Sequence, residues 1–116
     1  MNIENYLKMN YGKNIDFNMF AELFFSQKYF YTLILPQTIP LKNEYLVQEF
    51  EKKMLGLIFT SKEKLDEYKK KEPIIKDWVI KEYETENFED YFKDVNRPIN
   101  GIIINYGSYW AKLFLN

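Results

Sequence analysis

The spacing of apolar residues alternates along the chain between a helical period and an extended one. Apolar residues between positions 17 and 24 recur at i, i+3, i+4 and i+7, which predicts a helix that follows Asp16 as its N-cap and runs to about Gln27. A weaker helical pattern in Ile3–Leu7 precedes it, and Gly12 is predicted to separate the two helices.

The middle of the chain carries extended patterns. The aromatic and β-branched run Tyr29–Leu35 predicts a strand central enough to be apolar on both faces. Pro36 stops this strand, and Pro36 and Pro40 frame a loop. Tyr45–Phe50 is shorter and more polar, which fits either an edge strand or an irregular crossing. Leu55–Phe59 predicts a further strand.

A helix start follows this last strand. Thr60 and Glu63 have the spacing of a capping box, in which a hydroxyl and a carboxylate each satisfy a backbone N–H group. The helix then places Leu65 and Tyr68 on one face, and it must end before Pro73.

The last third of the chain predicts a strand, a helix and a hairpin. Asp77–Tyr83 is the strand, and Asn87 is the predicted N-cap of a helix with an acidic first turn. Two further strands, Ile102–Ile104 and Tyr109–Leu115, are joined by Asn105–Ser108 in a tight hairpin, because Asn and Gly tolerate positive φ. The buried stripe of the helix comprises Phe88, Tyr91, Phe92 and Val95.

These elements predict an α/β (α+β) class, with a mixed, largely antiparallel sheet flanked by three to four short helices. No Ser/Gly-rich linker or internal repeat divides the 116 residues, so one domain over residues 1–116 is predicted. With 47% hydrophobic residues, a chain of this size can build one core, because folding buries roughly two thirds of its surface.

Composition excludes several chemistries. The chain has no cysteine and no histidine, which removes disulfides, thiolate metal sites, cysteine nucleophiles and the commonest general base. Ser26, Ser61 and Ser108 are the only serines. A Ser–Lys pair at Ser61 is formally open, but helix capping explains that segment better. The four glycines are isolated, which argues against a phosphate-binding loop. No catalytic, metal or cofactor residue is assigned.

Charge and hydropathy bear on partners and location. The formal net charge is −1 and both signs are interspersed, which disfavours nucleic acid as a partner. The run Lys69–Lys71 could contact an anionic surface, but its acidic neighbours favour a solvated helix face.

No export signal or membrane span is evident, so a cytoplasmic protein without a membrane partner is expected. A homo-oligomer is conceivable, because an unpaired edge such as Tyr45–Phe50 could self-associate.

An acidic segment follows the strand Asp77–Tyr83. Its two sharper interpretations are a docking face for a basic protein partner and a divalent-cation site, and its plain interpretation is a solvated helix with its approach loop. EF-hand spacing is absent, so the docking face is preferred to the metal site. The acidic residues assigned to partner contact are Glu82, Glu84, Glu86, Glu89 and Asp90, with Asp94 in the same segment.

Aromatic residues make up 19% of the chain, and most lie at core-periodic positions. Tyr106, Tyr109 and Trp110, around the last turn, are the aromatic residues predicted to contact a partner. The alternative is that Trp110 packs across the sheet from a hairpin strand.

Two segments together resemble the N-terminal domain of the SseB family of small bacterial proteins. Leu57–Leu65 is similar to the family's strand that ends in Phe-Thr-Ser before an acidic helix start. Gly101–Ser108 is similar to its glycine, apolar strand and Asn-Pro-Gly-Ser turn, with Tyr106 in place of proline. The order of elements from about Phe17 onward also fits. The resemblance implies an SseB-like single domain without the family's second domain, and it brings no catalytic residues.

Absent catalytic chemistry, small size and this resemblance together favour a non-enzymatic protein-interaction module with a protein partner. The alternative is an immunity or antitoxin-like protein that masks a toxin, with the acidic segment as its docking face. An enzyme or small-ligand binder ranks third.

Overall fold

The computed structural model describes residues 1–36, 43–95 and 97–115, in which the chain forms four α-helices and seven β-strands. The helices are α1 (Ile3–Met9), α2 (Phe17–Phe24), α3 (Lys62–Lys71) and α4 (Phe88–Val95). The strands are β1 (Tyr29–Pro36), β2 (Asn43–Tyr45), β3 (Val47–Phe50), β4 (Lys53–Ile58), β5 (Val79–Glu84), β6 (Gly101–Ile104) and β7 (Ala111–Phe114). Pro40 and most of the loop that it was predicted to frame lie outside the described residues. None of the described helices is long and apolar enough to cross a membrane.

The strands form two sheets of mostly antiparallel pairing, which confirms the α+β class. One sheet has the order β2-β1-β5 and is antiparallel throughout. The other has the order β3-β4-β6-β7, with a parallel pair β4–β6 between two antiparallel pairs. β1 lies at the centre of its sheet, as its apolar pattern predicted.

The segment 43–50 passes from one sheet to the other at Leu46. The Leu46 N–H group donates to the Leu33 carbonyl (3.1 Å), and the Leu57 N–H group donates to the Leu46 carbonyl (3.2 Å). The Thr32 hydroxyl donates to the Leu57 carbonyl (2.7 Å) and ties β1 to β4 at the same place. The two interpretations of this segment therefore both apply, since it forms two edge strands joined by a crossing.

Helices cover both faces of the sheets and enclose two apolar clusters. We call the first the three-helix core, because α1, α2 and α4 supply its helical side chains, and the second the α3 core. Alternation along β6 divides its side chains, so that Ile102 and Ile104 enter the three-helix core and Ile103 enters the α3 core. The α3 core also contains Leu65 and Tyr68, which confirms the predicted buried face of that helix.

Two helix boundaries differ from the sequence prediction. The Asp16 side chain caps α2 as expected, accepting from the Met19 N–H group (3.3 Å), but the helix ends at Phe24 rather than near Gln27. Phe17, placed in the buried stripe, is 45% exposed, because it lies in the first turn beyond the edge of the core. For α3 the predicted cap was wrong, since Ser61 Oγ accepts from the Lys64 N–H group (3.2 Å). Thr60 cannot cap because its polar groups bind Asn105.

Two of the C-terminal strands, β5 and β7, are shorter than predicted. β5 begins at Val79, because the Trp78 N–H group donates to the Ile75 carbonyl (3.0 Å) and closes a turn before the strand. Asn87 lies in a 3-10 turn that runs directly into α4, and not at an N-cap. The hairpin loop spans residues 105–110, so Tyr109 and Trp110 belong to the loop and not to β7. The side chains at the predicted stripe positions Phe88, Tyr91 and Val95 are buried, and that of Phe92 is half-buried.

Candidate functional site

An open cleft of about 470 Å³ lies between α3, the 105–110 loop and the segment that follows α1. We call it the aromatic cleft, because rings from three parts of the chain line it. Its aromatic residues are Tyr11, Tyr68, Tyr106, Tyr109 and Trp110, and its other lining residues are Glu67, Lys71, Glu72, Gly107 and Ser108. All three aromatic residues that the sequence assigned to partner contact therefore share one cavity.

The rings of the aromatic cleft contact one another in a continuous series. Tyr11 meets Tyr109 and Trp110 edge-on, with centroids 5.4 Å and 6.1 Å apart. Trp110 meets Tyr106 (5.2 Å), and Tyr106 meets Tyr68 (5.9 Å). Tyr68 is buried, whereas Tyr11 and Tyr109 are 54% and 45% exposed. The series therefore leads from solvent into the α3 core, and each exposed ring contacts another ring.

Asn105 fixes the start of the loop that carries the rings. Its Oδ1 atom accepts from the Thr60 N–H group (2.9 Å), and its Nδ2 group donates to Thr60 Oγ1 (2.9 Å). Its backbone N–H group donates to the Ile58 carbonyl (2.9 Å). Asn105 has φ of 61° and Gly107 has φ of 95°, which confirms the predicted positive φ in this turn.

Lysines of α3 hold the other side of the loop. Lys71 Nζ donates to the Gly107 carbonyl, and Lys64 Nζ donates to Ser108 Oγ (3.2 Å). Lys69 Nζ donates to the Trp78 carbonyl (2.7 Å). The lysine run is therefore more than the solvated face that was favoured from sequence, because two of its side chains bind carbonyl groups of neighbouring loops. This geometry needs a helix end packed against a loop, which the sequence alone does not indicate.

Charged groups from α1, α3 and β7 lie near the rings of the aromatic cleft. Burial, with the nearby Glu72 carboxylate and Tyr106, raises the pKa of Tyr68 to about 12. Two lysine side chains already lie against rings at this site: Lys8 Nζ is 5.3 Å from the Tyr109 centroid, and Lys112 Nζ is 5.9 Å from that of Trp110. Each of these two rings therefore already lies near a lysine ammonium group.

The acidic residues lie at a second, separate place. Glu86, Glu89 and Asp90 line a cleft of about 410 Å³ with Phe17, Phe25, Asn87 and Phe88. Glu84 lines a smaller neighbouring cavity with Phe25, Lys28, Thr85 and Glu86. We call this region the acidic surface. It shares no described lining residue with the aromatic cleft, so Glu84, Glu86, Glu89 and Asp90 lie at a different site from the predicted aromatic residues.

Two acidic residues of the segment lie elsewhere. Glu82 is exposed on β5 opposite Tyr31 and lines neither cleft. Asp94 Oδ2 accepts from the Tyr83 hydroxyl (2.7 Å), and the hydroxyl groups of Tyr83 and Tyr45 are 2.8 Å apart. Burial, together with these hydrogen bonds, raises the pKa of Tyr83 far above its usual value. In the described ranges, no three Asp or Glu side chains are grouped so that they could hold a metal ion.

Sequence reasoning missed Tyr11, Tyr68 and Glu72 as members of the aromatic cleft. Tyr68 was predicted only as a core residue, and its second role depends on where the hairpin loop packs. Tyr11 reaches the site because the Gly12 N–H group donates to the Trp110 carbonyl (2.7 Å). The turn signal at Gly12 was visible in the sequence, but its partner was not.

Comparison of the chain with protein-family models, with curated proteins and with solved structures found no significant match. The resemblance to the SseB N-terminal domain therefore stays a prediction.

Proposed function

We propose that the chain is a non-enzymatic protein-interaction module and that the aromatic cleft is its contact surface. One observation carries this proposal: the exposed rings of Tyr11 and Tyr109 meet the half-buried ring of Trp110 in one open cavity of about 470 Å³. Tyrosine and tryptophan dominate the energetics of protein interfaces, because they bury a large area with few rotatable bonds.

Rigidity supports the same proposal. Binding costs less when the contact groups are already ordered in the free protein. Asn105 fixes one end of the loop through Thr60, and Lys71 and Lys64 fix its middle through Gly107 and Ser108. The rings are therefore presented in one arrangement, as expected of a preformed recognition surface.

The chemistry of the cleft also fits recognition better than catalysis. Its described lining residues include Ser108, whose hydroxyl group accepts from the Lys64 ammonium group, which is a hydrogen-bond donor and not a base. Nucleophilic catalysis needs such a base to activate a hydroxyl group. The aromatic surface, in contrast, is ready to exclude water from a partner's side chains.

The proposal is tested by affinity purification of the tagged full chain from lysate of its source organism. The wild-type chain and the Tyr109→Ala variant are compared with Met19→Ala, a control with a similarly exposed apolar side chain (41%) on α2. We expect a reproducible protein partner that Met19→Ala retains and Tyr109→Ala loses. Recovery of no such partner, or of one that Tyr109→Ala retains in full, would contradict the proposal.

A second candidate function is an immunity or antitoxin-like role that uses the acidic surface. The observation that favours it is the exposure of Phe17 (45%) and Phe25 (43%) beside Glu86 and Glu89. An aromatic anchor within a ring of carboxylates suits a basic partner, because charge steers the encounter and the ring supplies buried area. Co-expression with a toxin encoded by a neighbouring gene tests it, and failure to restore growth would remove this candidate. A partner lost on Phe25→Ala and kept on Tyr109→Ala would favour it over the first.

A further inference from the structure

The end of α3 brings two carboxylates to the aromatic cleft, and one of them has no described ion pair. The exposed Glu72 side chain has no ion pair or hydrogen bond among the described residues. Glu67 Oε1 lies 3.7 Å from Lys64 Nζ, but the Lys64 ammonium group also donates to Ser108. Lys71, the cation among the described lining residues, is bound to the Gly107 carbonyl. Glu72 is therefore a lining carboxylate without a described cation of its own, whereas Glu67 and Lys71 are already engaged.

The rings beside these carboxylates are suited to hold a positive charge. The face of an aromatic ring attracts cations, and the attraction strengthens when water is excluded. Lys8 over Tyr109 and Lys112 near Trp110 show that both ring systems already accept cations within the molecule. Negative potential from Glu72 is also felt inside the cleft, where it contributes to the raised pKa of Tyr68.

We infer that the aromatic cleft receives an arginine side chain from a basic segment of the protein partner. Arginine is favoured over lysine because its planar guanidinium group stacks on rings and presents five donors to nearby carboxylates. Tyr109 and Trp110 supply the rings, and Glu72 supplies the acceptor at the cleft's edge. The volume of about 470 Å³ also leaves room for residues that flank the arginine. This inference rests on the proposed function, since it assigns the chemistry of the partner at the same site.

The test uses the full chain and a displayed library of random peptides, so that no partner need be known. Peptides are selected on the wild-type chain, and those that also bind Tyr109→Ala are discarded. We expect the remaining peptides to be enriched in arginine over the starting library. Circular dichroism of Tyr109→Ala checks that this variant is folded, as expected for an exposed ring.

One selected peptide is then synthesised with its arginine replaced by citrulline, which keeps the shape and removes the charge. We expect the dissociation constant to rise on the order of tenfold, since a partly desolvated cation–π contact contributes about that factor. The Glu72→Gln variant should weaken binding of the arginine peptide severalfold. Glu22→Gln, which removes an exposed carboxylate from α2, is the charge-matched control and should leave binding unchanged.

Each result separates the inference from the function on which it rests. Peptides that need Tyr109 but bind equally well with citrulline would overturn the arginine inference and leave the proposed function standing. Sensitivity to citrulline without sensitivity to Glu72→Gln would place the arginine elsewhere and would also overturn it. If no selected peptide needs Tyr109, both the inference and the proposed contact surface are wrong.

Discussion

The two cores of this protein are built in opposite ways. The three-helix core is closed by rings that pack on one another, and Tyr91 at its centre is fully buried with no hydrogen-bond partner for its hydroxyl group among the described residues. The α3 core is closed by polar contacts, in which Asn105, Lys64 and Lys71 hold a loop in place. Close packing secures the first core, whereas hydrogen bonds leave the second with a series of rings that reaches solvent at Tyr11 and Tyr109. This difference is the reason for proposing the α3 side, with its ring series, as the contact surface.

The largest effect is expected from Gly56→Ala, which tests how tightly the three-helix core is packed. A Cβ atom at residue 56 would lie 2.0 Å from the Tyr91 hydroxyl oxygen. Rings of Tyr45, Tyr83 and Phe92 surround Tyr91, so it cannot move freely. We expect the free energy of unfolding, measured in urea, to fall by about 3 kcal/mol.

Tyr91→Phe is the matched partner of this change, because it removes only the oxygen atom that the new methyl group would meet. The nearest ring carbon would then lie 3.1 Å from the methyl group. Alone, Tyr91→Phe should be neutral or stabilising, since the hydroxyl group has no described partner to lose. Combined with Gly56→Ala, it should restore a large part of the lost stability. Strictly additive effects in the double variant would show that this account of the packing is wrong.

The second largest effect is expected at Asn105, whose hydrogen bonds to Thr60 help to close the α3 core. Asn105→Ala removes both hydrogen bonds to Thr60 and places a Cβ-bearing residue at φ of 61° without its side-chain bonds. We expect a loss of about 2 kcal/mol in the free energy of unfolding, because a buried N–H group is left unpaired. Asn105→Gly keeps the backbone conformation accessible and should lose less. Equal losses in both variants would show that backbone strain contributes nothing.

The stability that the α3 core contributes should depend on pH through the Tyr68 hydroxyl group. The folded-state pKa of Tyr68 is raised to about 12 from 10.0, so the folded protein favours its neutral form. This contribution is fully present below pH 10 and is lost as the pH rises from 10 towards 12, with a slope of at most about 1.4 kcal/mol per pH unit. Urea unfolding across this range should show a shallower decline for Tyr68→Phe. A slope identical to that of the wild-type chain would contradict the buried state of the hydroxyl group.

The smallest effect lies outside both cores, at the turn between β3 and β4. Glu51 and Lys52 both have positive φ, at 52° and 66°, although this two-residue turn favours Asn-Gly. Lys52→Gly should therefore stabilise the protein by about 1 kcal/mol in thermal or urea unfolding. Lys53→Gly, one residue later in β4, is the control and should destabilise it, since a strand residue gains freedom in the unfolded state. The opposite order of the two variants would contradict the turn geometry.

Local patterns predicted most elements of the fold, because they depend on residues close in sequence. The apolar periods of α2, α3 and β1 and the positive φ of Asn105 were all visible in that way. The predictions that failed involve competition from distant residues. Thr60 looked like a helix cap until Asn105, far along the chain, occupied its polar groups.

The candidate sites show the same contrast between residues that are neighbours in sequence and residues that only folding brings together. Tyr106, Tyr109 and Trp110 were grouped from sequence because they are neighbours in one loop. Tyr11 and Glu72 could not be added, because their place at the aromatic cleft depends on a hydrogen bond from Gly12 and on the packing of the end of α3. The acidic residues were grouped by proximity in the chain, yet Glu82 and Asp94 lie away from the others.

Amide hydrogen exchange, measured with and without a bound partner or selected peptide, tests the central claim most directly. If the aromatic cleft is the contact surface, amides in the 105–110 loop and around residue 11 should exchange more slowly in the complex. Amides of residues 84–90, at the acidic surface, should exchange at the same rate in both states. Protection confined to residues 84–90, with the 105–110 loop unchanged, would contradict the account and assign recognition to the acidic surface.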